Sequence, residues 1–595
     1  MTGLSTVYRE RSNFIILGLT GRTGSGCTEI ASLLEKEFVD FNPPKPKYSD
    51  FTNDEERKYR VVYEFLNESW KPYHYIRMSH VISTFLLELP FKIFVELYKS
   101  VNHINDEEST RVNGLGERYD LFKKKRKKAK ENAQDKNSGL YNATDYKFYF
   151  EELPKEIDYL KKILDLIKPG SFTNFFQFIG NNIRKSGRAD CTEYDHEKIY
   201  MFSQRANMFV KLLRDKSLTT KEQVFVVLDA IRNPYEALFF KERYPNFYLM
   251  SVSVDNETRF NRLLNQRGMS KDKIEKLDKK ESPEKLPGEN CFWSLDVPRC
   301  IEISDVHLFN SDDGCTFKLV KTQLVKYLAL IMHPGLITPS KDERCMQFAY
   351  NAKLNSGCIS RQVGAVVTDS TGAVKAIGWN NVPQGQTPCN LRKVSDLLQN
   401  EDDKAFSKFE KEDSKFMNKA KLIYKEPRQR FSGKPISFCF KDIKNSIDGE
   451  KNQIHTRALH AEENAFLQIS KHGGMSIQGG TLYTTASPCE LCSKKAYQLG
   501  IKDIVYIDPY PGIANDHILQ SGSKPPLTNL FYGAIGRAYQ QLFESIMPYK
   551  NELQIGLDLK IPNKKKIMKS ENEDLKLRII ELEQEVEALK MEGNE

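Results

Sequence analysis

His460-Ala461-Glu462-Glu463-Asn464 and, further along, Ser487-Pro488-Cys489-Glu490-Leu491-Cys492 form the two halves of one stretch, and the reading of the whole chain turns on it. One imidazole (His460) and two thiolates (Cys489, Cys492) make three protein ligands for Zn2+ and leave the fourth tetrahedral position to water. Bound zinc lowers the pKa of that water toward neutrality, so a hydroxide nucleophile exists at ordinary pH. Glu462 stands two residues from the His ligand, where a carboxylate can carry a proton between water and substrate. The competing reading is a closed structural zinc site or two buried thiols, but a closed site wants a fourth ligand. Spacing, ligand count and the added carboxylate favour a catalytic centre with Glu462 as its acid and base.

Around that stretch, the 595 residues exceed what one hydrophobic core organises, so two or three domains are expected. An apolar fraction of 39% with 28% charged residues is that of a soluble globular protein. No run approaches the roughly 20 apolar residues of a membrane span, and Met1 to Ser12 lacks the apolar core of a signal peptide. Eleven thinly spread cysteines fit a reducing, cytoplasmic setting better than a disulfide framework. The net charge of +9 is modest and by itself argues for no nucleic-acid partner. No internal repeat is evident.

An α/β fold class follows from the order of elements, and residues 1–330 read as its first domain. Phe14 to Leu19 is a short apolar run suited to a buried parallel strand. It feeds into Gly21-Arg22-Thr23-Gly24-Ser25-Gly26-Cys27-Thr28 and an amphipathic helix from Glu29 to Phe38. Strand, Gly-rich loop and helix are the context a P-loop requires, because backbone N–H groups must converge on phosphate at a helix start. The spacing matches G-x-x-x-x-G-K-[ST] except that Cys27 takes the Lys position. Gly21, Gly24, Ser25, Gly26 and Cys27 could still cradle a nucleoside triphosphate, with Thr28 touching its Mg2+, but the cation for the outer phosphates is missing. Val224 to Asp229 reads as a second strand ending in an acidic residue, and Asp229 joins the candidate nucleotide site. A third strand, Phe247 to Val254, precedes Arg259, Arg262 and Arg267. With Gln177 to Arg188, containing Gly180, Arg184 and Arg188, these pieces resemble the nucleoside-monophosphate kinase branch of P-loop proteins. That resemblance implies arginines in a phosphate-facing lid and a monophosphate-binding segment; for any single arginine, an ordinary surface helix competes. Binding without phosphoryl transfer is expected.

The basic run Lys123 to Lys130 has one adjoining aromatic, Phe122, so a solvated helix end or loop is favoured over a nucleic-acid contact. Ser270 to Glu289 reads as a mobile lid extension or loop. The link to the second domain is placed between Ile301 and Gly335, near Asn310-Ser311-Asp312-Asp313-Gly314.

Residues 331–560 read as the second domain, a three-layer α/β/α unit. A helix is expected from Ser340 to Asn355, with Ser340 as N-cap and Glu343 completing a capping box. Strands follow at Gln362–Asp369 and Val374–Trp379 around the turn Ser370-Thr371-Gly372. Gly378-Trp379-Asn380-Asn381-Val382-Pro383 brings amide side chains to the mouth of the site, where they suit a sugar hydroxyl and a pyrimidine edge or simply cap a loop. Asn380 and Arg361 are the candidate substrate contacts. The irregular stretch 384–456 is an insertion, read first as a surface excursion and otherwise as a lid or an oligomer contact. Cys389, Cys439 and His455 within it could hold a second, structural zinc, though no C-x-x-C pair supports that. A helix from His460 to Ile469, a strand Thr481–Thr485, a helix opened by Pro488-Cys489 and a strand Asp503–Asp508 complete the unit. Both thiolates gain from N–H groups at that helix start.

H-x-E followed by P-C-x-x-C is the pattern of the zinc deaminases. Asn355-Ser356-Gly357-Cys358-Ile359-Ser360-Arg361-Gln362-Val363-Gly364-Ala365, Gly378-Trp379-Asn380, Asp508-Pro509-Tyr510-Pro511-Gly512 and Phe531 to Tyr539 extend the match. On these residues 336–550 resembles a deoxycytidylate deaminase domain. Together with the P-loop-like unit in front, the chain resembles the bacterial anti-phage dCTP deaminases. The resemblance implies hydrolysis of dCTP or dCMP to dUTP or dUMP, draining deoxycytidine nucleotide as an antiviral defence. It further implies a P-loop domain that gates activity in answer to a regulatory nucleotide, and an RNA antitoxin as partner. The other classes in play are a deaminase acting on cytosine or adenine in RNA or single-stranded DNA and a nucleotide-sensing module with a vestigial deaminase. The first needs a basic, aromatic-lined channel near His460, and the intact motif argues against the second.

Residues 561–595 end the chain. Leu575, Ile579, Leu582, Val586 and Leu589 follow a 4-3-4-3 spacing, which suits either a short parallel coiled coil in a homo-oligomer or an amphipathic helix docked on the body. Lys564-Lys565-Lys566 reads as a solvated hinge.

Overall fold

A sheet with helices on both sides buries both faces of its central strands, and the two sheets here are covered in that way. The computed structural model describes residues 3–48, 51–134, 143–266, 268–282, 288–311, 316–425, 431, 433–450, 452–473, 476–507, 514–557 and 564–592. They divide into two compact units, Arg11–Glu544 and a smaller one of Met1–Glu10 with Ser545–Glu595. Of the expected features, Arg267, residues 312–314 and residues 508–512 lie outside the described residues. No described helix is long and apolar enough to cross a membrane.

In the larger unit, β1 (Phe14–Thr20) leads through the Gly-rich loop into α1 (Cys27–Leu34). Along β1, Ile15, Leu17 and Leu19 enter one apolar cluster and Ile16 the other, so both faces are covered, as in parallel sheets. β2 (His74–Ile76), β3 (Val224–Leu228) and β4 (Phe247–Ser253) follow, then α2 (Lys271–Glu281), α3 (Val297–Glu302) and β5 (Val306–Phe309). The parallel order is β2-β3-β1-β4-β5. The helix after β1 is shorter than expected from its apolar spacing. It stops at Leu34, and Phe38–Phe41 forms a separate turn after the extended Glu37.

α4 (Lys318–Met332) and α5 (Lys341–Lys353) lead to the second sheet. Its members are β6 (Gly364–Thr368), β7 (Val374–Trp379), β8 (Thr481–Thr484), β9 (Asp503–Tyr506) and β10 (Leu527–Leu530), with α6 (Ala461–His472) before β8 and α7 (Glu490–Gln498) after it. The order is β10-β9-β8-β6-β7, with β6 antiparallel to both neighbours and the other pairings parallel. α5 covers one face and α6 the other: Val366 and Tyr483 pack with Met346 and Ala349, whereas Ala365 and Leu482 pack with Ala461 and Ala465. That alternation is the period-2 pattern of a strand buried on both sides.

β11 (Gly533–Ala534) then returns to the first sheet and pairs antiparallel with β5. Residues near the end of the larger unit therefore complete the sheet that its first residues begin. Glu343 anchors this return. Fully buried, it accepts from Lys326 Nζ at 2.6 Å, Tyr327 OH at 2.7 Å, Ser340 N at 2.8 Å and Ala534 N at 3.2 Å. The expected capping box is thus present, and its carboxylate also ties α4, α5 and β11 together.

Stretch 384–456 is not irregular. Helices Val394–Gln399, Ser414–Lys425 and Phe440–Asp448 enclose a small core of Leu397, Phe406, Phe416, Phe438 and Ile443. Buried Arg392 lies between the rings of Phe406 and Phe438 (5.0 and 4.9 Å), pairs with Glu410 and donates Nε to the Ala405 carbonyl at 2.9 Å. The basic run belongs to helix Gly116–Gln134, where Lys123 binds the Leu89 carbonyl, Lys125 pairs with Glu152 and Arg126 with Glu88. In the smaller unit, Tyr8 OH donates to buried Glu552, and α8 (Lys564–Glu592) runs as one 29-residue helix.

Burial works against ionisation of Glu343, but the Lys326 charge and the four donors outweigh it and hold its carboxyl below the usual range. A depressed folded pKa gives stability that is present above the unfolded carboxyl's pKa of about 4.3 and is lost as pH falls through the folded value. Glu343→Ala leaves the partly buried Lys326 and the buried Tyr327 hydroxyl and Ala534 N–H without their partner, a loss of about 3 kcal/mol. The melting temperature at pH 7 should fall accordingly, and the gap between variant and parent should narrow toward pH 3. An unchanged melting temperature would remove Glu343 from the account of how the two sheets are joined.

Candidate active site

Two helix starts meet at this site. His460 is the N-cap of α6 and Cys489 the N-cap of α7, both extended in backbone, with Cys492 in the first turn of α7. Four contacts bring them together. Glu463 caps the His460 N–H at 3.4 Å and pairs with Lys495 on α7. Asn464 Nδ2 donates to the Trp379 carbonyl at 3.0 Å, and Leu459 N to the Asn381 carbonyl at 2.8 Å, which fasten α6 to the end of β7. At Gly378 on β7 a Cβ would stand 2.2 Å from the Ala461 carbonyl, so only glycine lets the helix lie this close to the sheet.

His460 Nδ1 lies 3.3 Å from Cys489 Sγ and 3.5 Å from Cys492 Sγ. Tetrahedral zinc with Zn–S near 2.3 Å and Zn–N near 2.0 Å separates S from N by about 3.5 Å. The three side chains therefore fit zinc, and their ligand atoms all lie within 4.8 Å of one another. The Cys492 thiol hydrogen-bonds to the Cys489 sulfur. The hydrogen bond from Cys492 holds Cys489 down to about 3, while the same contact and burial push Cys492 up. Hydrogen bonding to Cys489 raises His460. Metal binding would displace that thiol proton. Among the described residues this is the only group of three such ligands; Cys389, Cys439 and His455 do not form a second one, and His455 instead faces Asp448 at 3.7 Å.

Glu462 is buried at 4% exposure in the first turn of α6. Burial raises its pKa, so the carboxyl is poised to hold a proton as well as release one. The Thr484 hydroxyl lies 3.3 Å from its Oε1 and 2.9 Å from the Ala486 carbonyl, and its single proton serves one of them at a time.

Of the expected substrate contacts, Asn380 is engaged at both ends of its amide. Oδ1 accepts from Val363 N and Nδ2 donates to the Arg361 carbonyl, each at 2.7 Å. It therefore holds the loop that carries Arg361. Its neighbour differs: Asn381 Oδ1 and Trp379 Nε1 are buried without a partner, beside the residue pair that leads into His460. Sequence reading noted the amides but had no means of telling which one the backbone would consume.

The Gly-rich loop is also assembled. Gly24 and Gly26 have φ of 92° and 106°, and at Gly26 a Cβ would stand 2.3 Å from the Asn310 amide. Thr28 Oγ1 and Tyr75 OH both donate to Asp229 Oδ2, at 2.9 and 2.8 Å, while Asp229 Oδ1 is buried without a partner. Burial, and secondarily Asp229, push the Cys27 thiol up to about 12, so it stays neutral. The surrounding arginines are held by the chain's own carboxylates. Asp278 takes Arg22 (3.1 Å) and Arg259; fully buried Glu281 takes Arg232, the Thr23 hydroxyl and the Thr23 N–H (3.0 Å). These acids belong to α2, expected above as a mobile extension or loop. Arg184 pairs with buried Glu236 at 2.7 Å and Arg188 with Asp190 at 2.8 Å.

The family model described as "Cytidine and deoxycytidylate deaminase zinc-binding region" matches residues 339–508. The deoxycytidylate deaminase of Enterobacteria phage T2 is 31% identical over 177 residues, covering 29% of this chain and 81% of the phage protein. That of phage T4 is 31% identical over 176 residues, covering 29% and 79%. The deoxycytidylate deaminase of Schizosaccharomyces pombe is 25% identical over 295 residues, covering 49% of this chain and 73% of its own.

Purified protein should carry one zinc per chain by elemental analysis, and Cys492→Ala or His460→Ala should lose it. Glu462→Gln should keep the metal, because its carboxylate is not among the three ligands; a metal-free Glu462→Gln protein would make Glu462 a ligand instead.

Proposed function

The chain belongs to the cytidine and deoxycytidylate deaminase family, and on that premise we propose that it hydrolyses the amino group from the cytosine of a free deoxycytidine nucleotide, dCMP or dCTP. The observation that carries this reading is a buried, pKa-raised Glu462 beside three converging zinc ligands. Zinc held by His460, Cys489 and Cys492 would supply a Lewis acid that makes a bound water nucleophilic. Glu462 takes the proton of the water that adds to C4 and delivers it to N3. It then takes the proton of the new C4 hydroxyl and passes it to the departing amino group, so that the C4–N bond breaks, C4=O forms, and ammonia and the uracil nucleotide leave. Asn381, with its orphaned acceptor, is the residue we assign to a sugar hydroxyl, and Asn380 positions the Arg361 loop.

A cleft of about 1020 Å³ runs past that loop, with Arg299, Lys353 and Arg361 among its lining residues. Asp296 and Glu302 line it as well, and Glu302 faces Arg299 at 2.6 Å and Lys353 at 3.9 Å, so a substrate phosphate there would compete with that carboxylate. Regulation is assigned to the Gly21–Thr28 loop, as a site for a nucleoside triphosphate with Mg2+ near Thr28 and Asp229. The parallel order β2-β3-β1-β4-β5, the left-handed Gly24 and Gly26 and the Thr28–Asp229 contact support it. Neutral Cys27 in place of a lysine argues for sensing over phosphoryl transfer. A bonded path supports gating of the deaminase: Glu281 holds the Arg232 side chain, and the Arg232 carbonyl accepts from Asp296 N. Asp296 caps α3, and Glu302 at its end lies 3.9 Å from Lys353, just before the Arg361 loop. The resemblance to anti-phage dCTP deaminases supports depletion of deoxycytidine nucleotide as a defence, with 1–330 regulatory and 331–560 catalytic.

Ammonia release should be seen with dCMP or dCTP and not with cytosine in single-stranded DNA; release only from the oligonucleotide would overturn the assignment. Glu462→Gln should lower turnover at least about a hundredfold. For the loop, Thr28→Ala should weaken ATP or GTP binding by calorimetry, and Glu281→Gln, which removes the competing charge, should tighten it about tenfold. Unchanged affinity in both would make Gly21–Thr28 a packing loop.

A further inference from the structure

We propose that α8 joins two copies of this chain as a parallel, in-register, two-stranded coiled coil. The helix leaves its apolar seam in solvent: Leu575, Ile579, Leu582 and Val586 are 60%, 52%, 45% and 49% exposed. A 29-residue helix that carries a 4-3-4-3 apolar stripe draws most of its stability from covering that stripe. With Ile579 and Val586 at the a positions and Leu575 and Leu582 at d, the choice of β-branched and γ-branched residues favours two strands over three or four. The next d position by sequence is Leu589, whose side chain lies outside the described residues.

Two further features select a second copy as the occupant. The a position before Ile579 is Asn572, and a lone asparagine there specifies register and a parallel pair, because each amide then faces its own counterpart. The flanking charges fit the same arrangement. In a parallel dimer each g residue meets the e residue five positions later on the partner helix. Arg578 at g then faces Glu583 of the partner subunit at e, and by symmetry the contact is made twice. By sequence position the pairs before and after, Glu571 with Lys576 and Glu585 with Lys590, are also of opposite charge. Within one helix Arg578 leans on Glu581 at 2.8 Å, an exposed i,i+3 contact that gives way at little cost. Leu577 and Ile580 fall at f and b, off the seam, and stay solvated.

The test uses the full chain and measures mass by light scattering across a concentration series. Parent protein should be a multiple of the monomer, and Leu582→Asp should weaken that association at least about tenfold. Arg578→Glu alone and Glu583→Arg alone should each self-associate less well. Mixed together under two affinity tags, those two variants should pair with each other in preference to themselves, and the double variant should recover the parent's association. Zinc content checks that each variant is folded. A monomeric parent, a Leu582→Asp protein with unaltered mass, or indiscriminate mixing of the two charge variants would overturn the proposal. The last two outcomes would point to a seam docked on its own chain or on another protein.

Discussion

A backbone-to-backbone approach governs the catalytic half: α6 rests on β7 at Gly378 with no room for a side chain between them. This contact sets how far His460 and Glu462 project, because His460 caps that helix and Glu462 sits in its first turn. The opposing α7 follows β8 after residues 485–489, and that short link is held to the sheet where Thr485 N donates to the Gly364 carbonyl (3.0 Å), Gly364 N to Thr485 Oγ1 (3.1 Å) and Thr484 Oγ1 to the Ala486 carbonyl (2.9 Å). A zinc site tolerates only tenths of an ångström in its ligand distances. Here that precision comes from the sheet, with Asn464–Trp379 fastening α6 to β7 and Lys495–Glu463 bracing the two helix starts.

The same economy explains how the two sheets become one body. β11 contributes only two residues to the first sheet, too few hydrogen bonds to hold on their own. What fixes it is Glu343, which satisfies one of its N–H groups while completing the cap of α5 and an ion pair to α4. A buried carboxylate with four donors is costly to create and costlier to disturb. The geometry of the joint therefore depends on a residue whose visible sequence role is only that of a capping-box glutamate.

Which features were legible in the sequence follows from what each signal depends on. Strand β7, the cap of α5 and the first turns of α6 and α7 depend on local pattern and were read with bounds close to those observed. The metal cluster was legible because ligand chemistry restricts residue type and spacing together. By contrast, Gly533-Ala534 has no period to detect, and its strand exists only because β5 offers an edge. The helices of 384–456 were obscured by charge, though Phe406, Phe416 and Phe438 already supplied a core. Asn380 and Asn381 are identical in type, and only the fold decides that the backbone takes one amide and leaves the other's oxygen unpaired. Asp278 and Glu281 misled for a related reason: a run of charges reads as solvated until its partners, here Arg22, Arg232 and Arg259, are seen around it.

Those partners also bear on why the Gly-rich loop departs from the lysine-bearing pattern. A lysine at position 27 would need an anion at all times, supplied by phosphate or by the protein. Burial leaves Cys27 neutral, so the loop's charge rests on the arginines around it, and the chain balances them with Asp278 and Glu281. Glu281 takes both the N–H and the hydroxyl of Thr23, the kind of donors a phosphate oxygen would seek. Were the proposed polyphosphate to bind, it would have to exchange with carboxylates already in place. On the proposed reading, the affinity of the loop would be set by a difference between two anions, so removing one carboxylate would shift it. A lysine at position 27 would add a charge that Asp278 and Glu281, already paired with arginines, do not answer; the neutral thiol adds none.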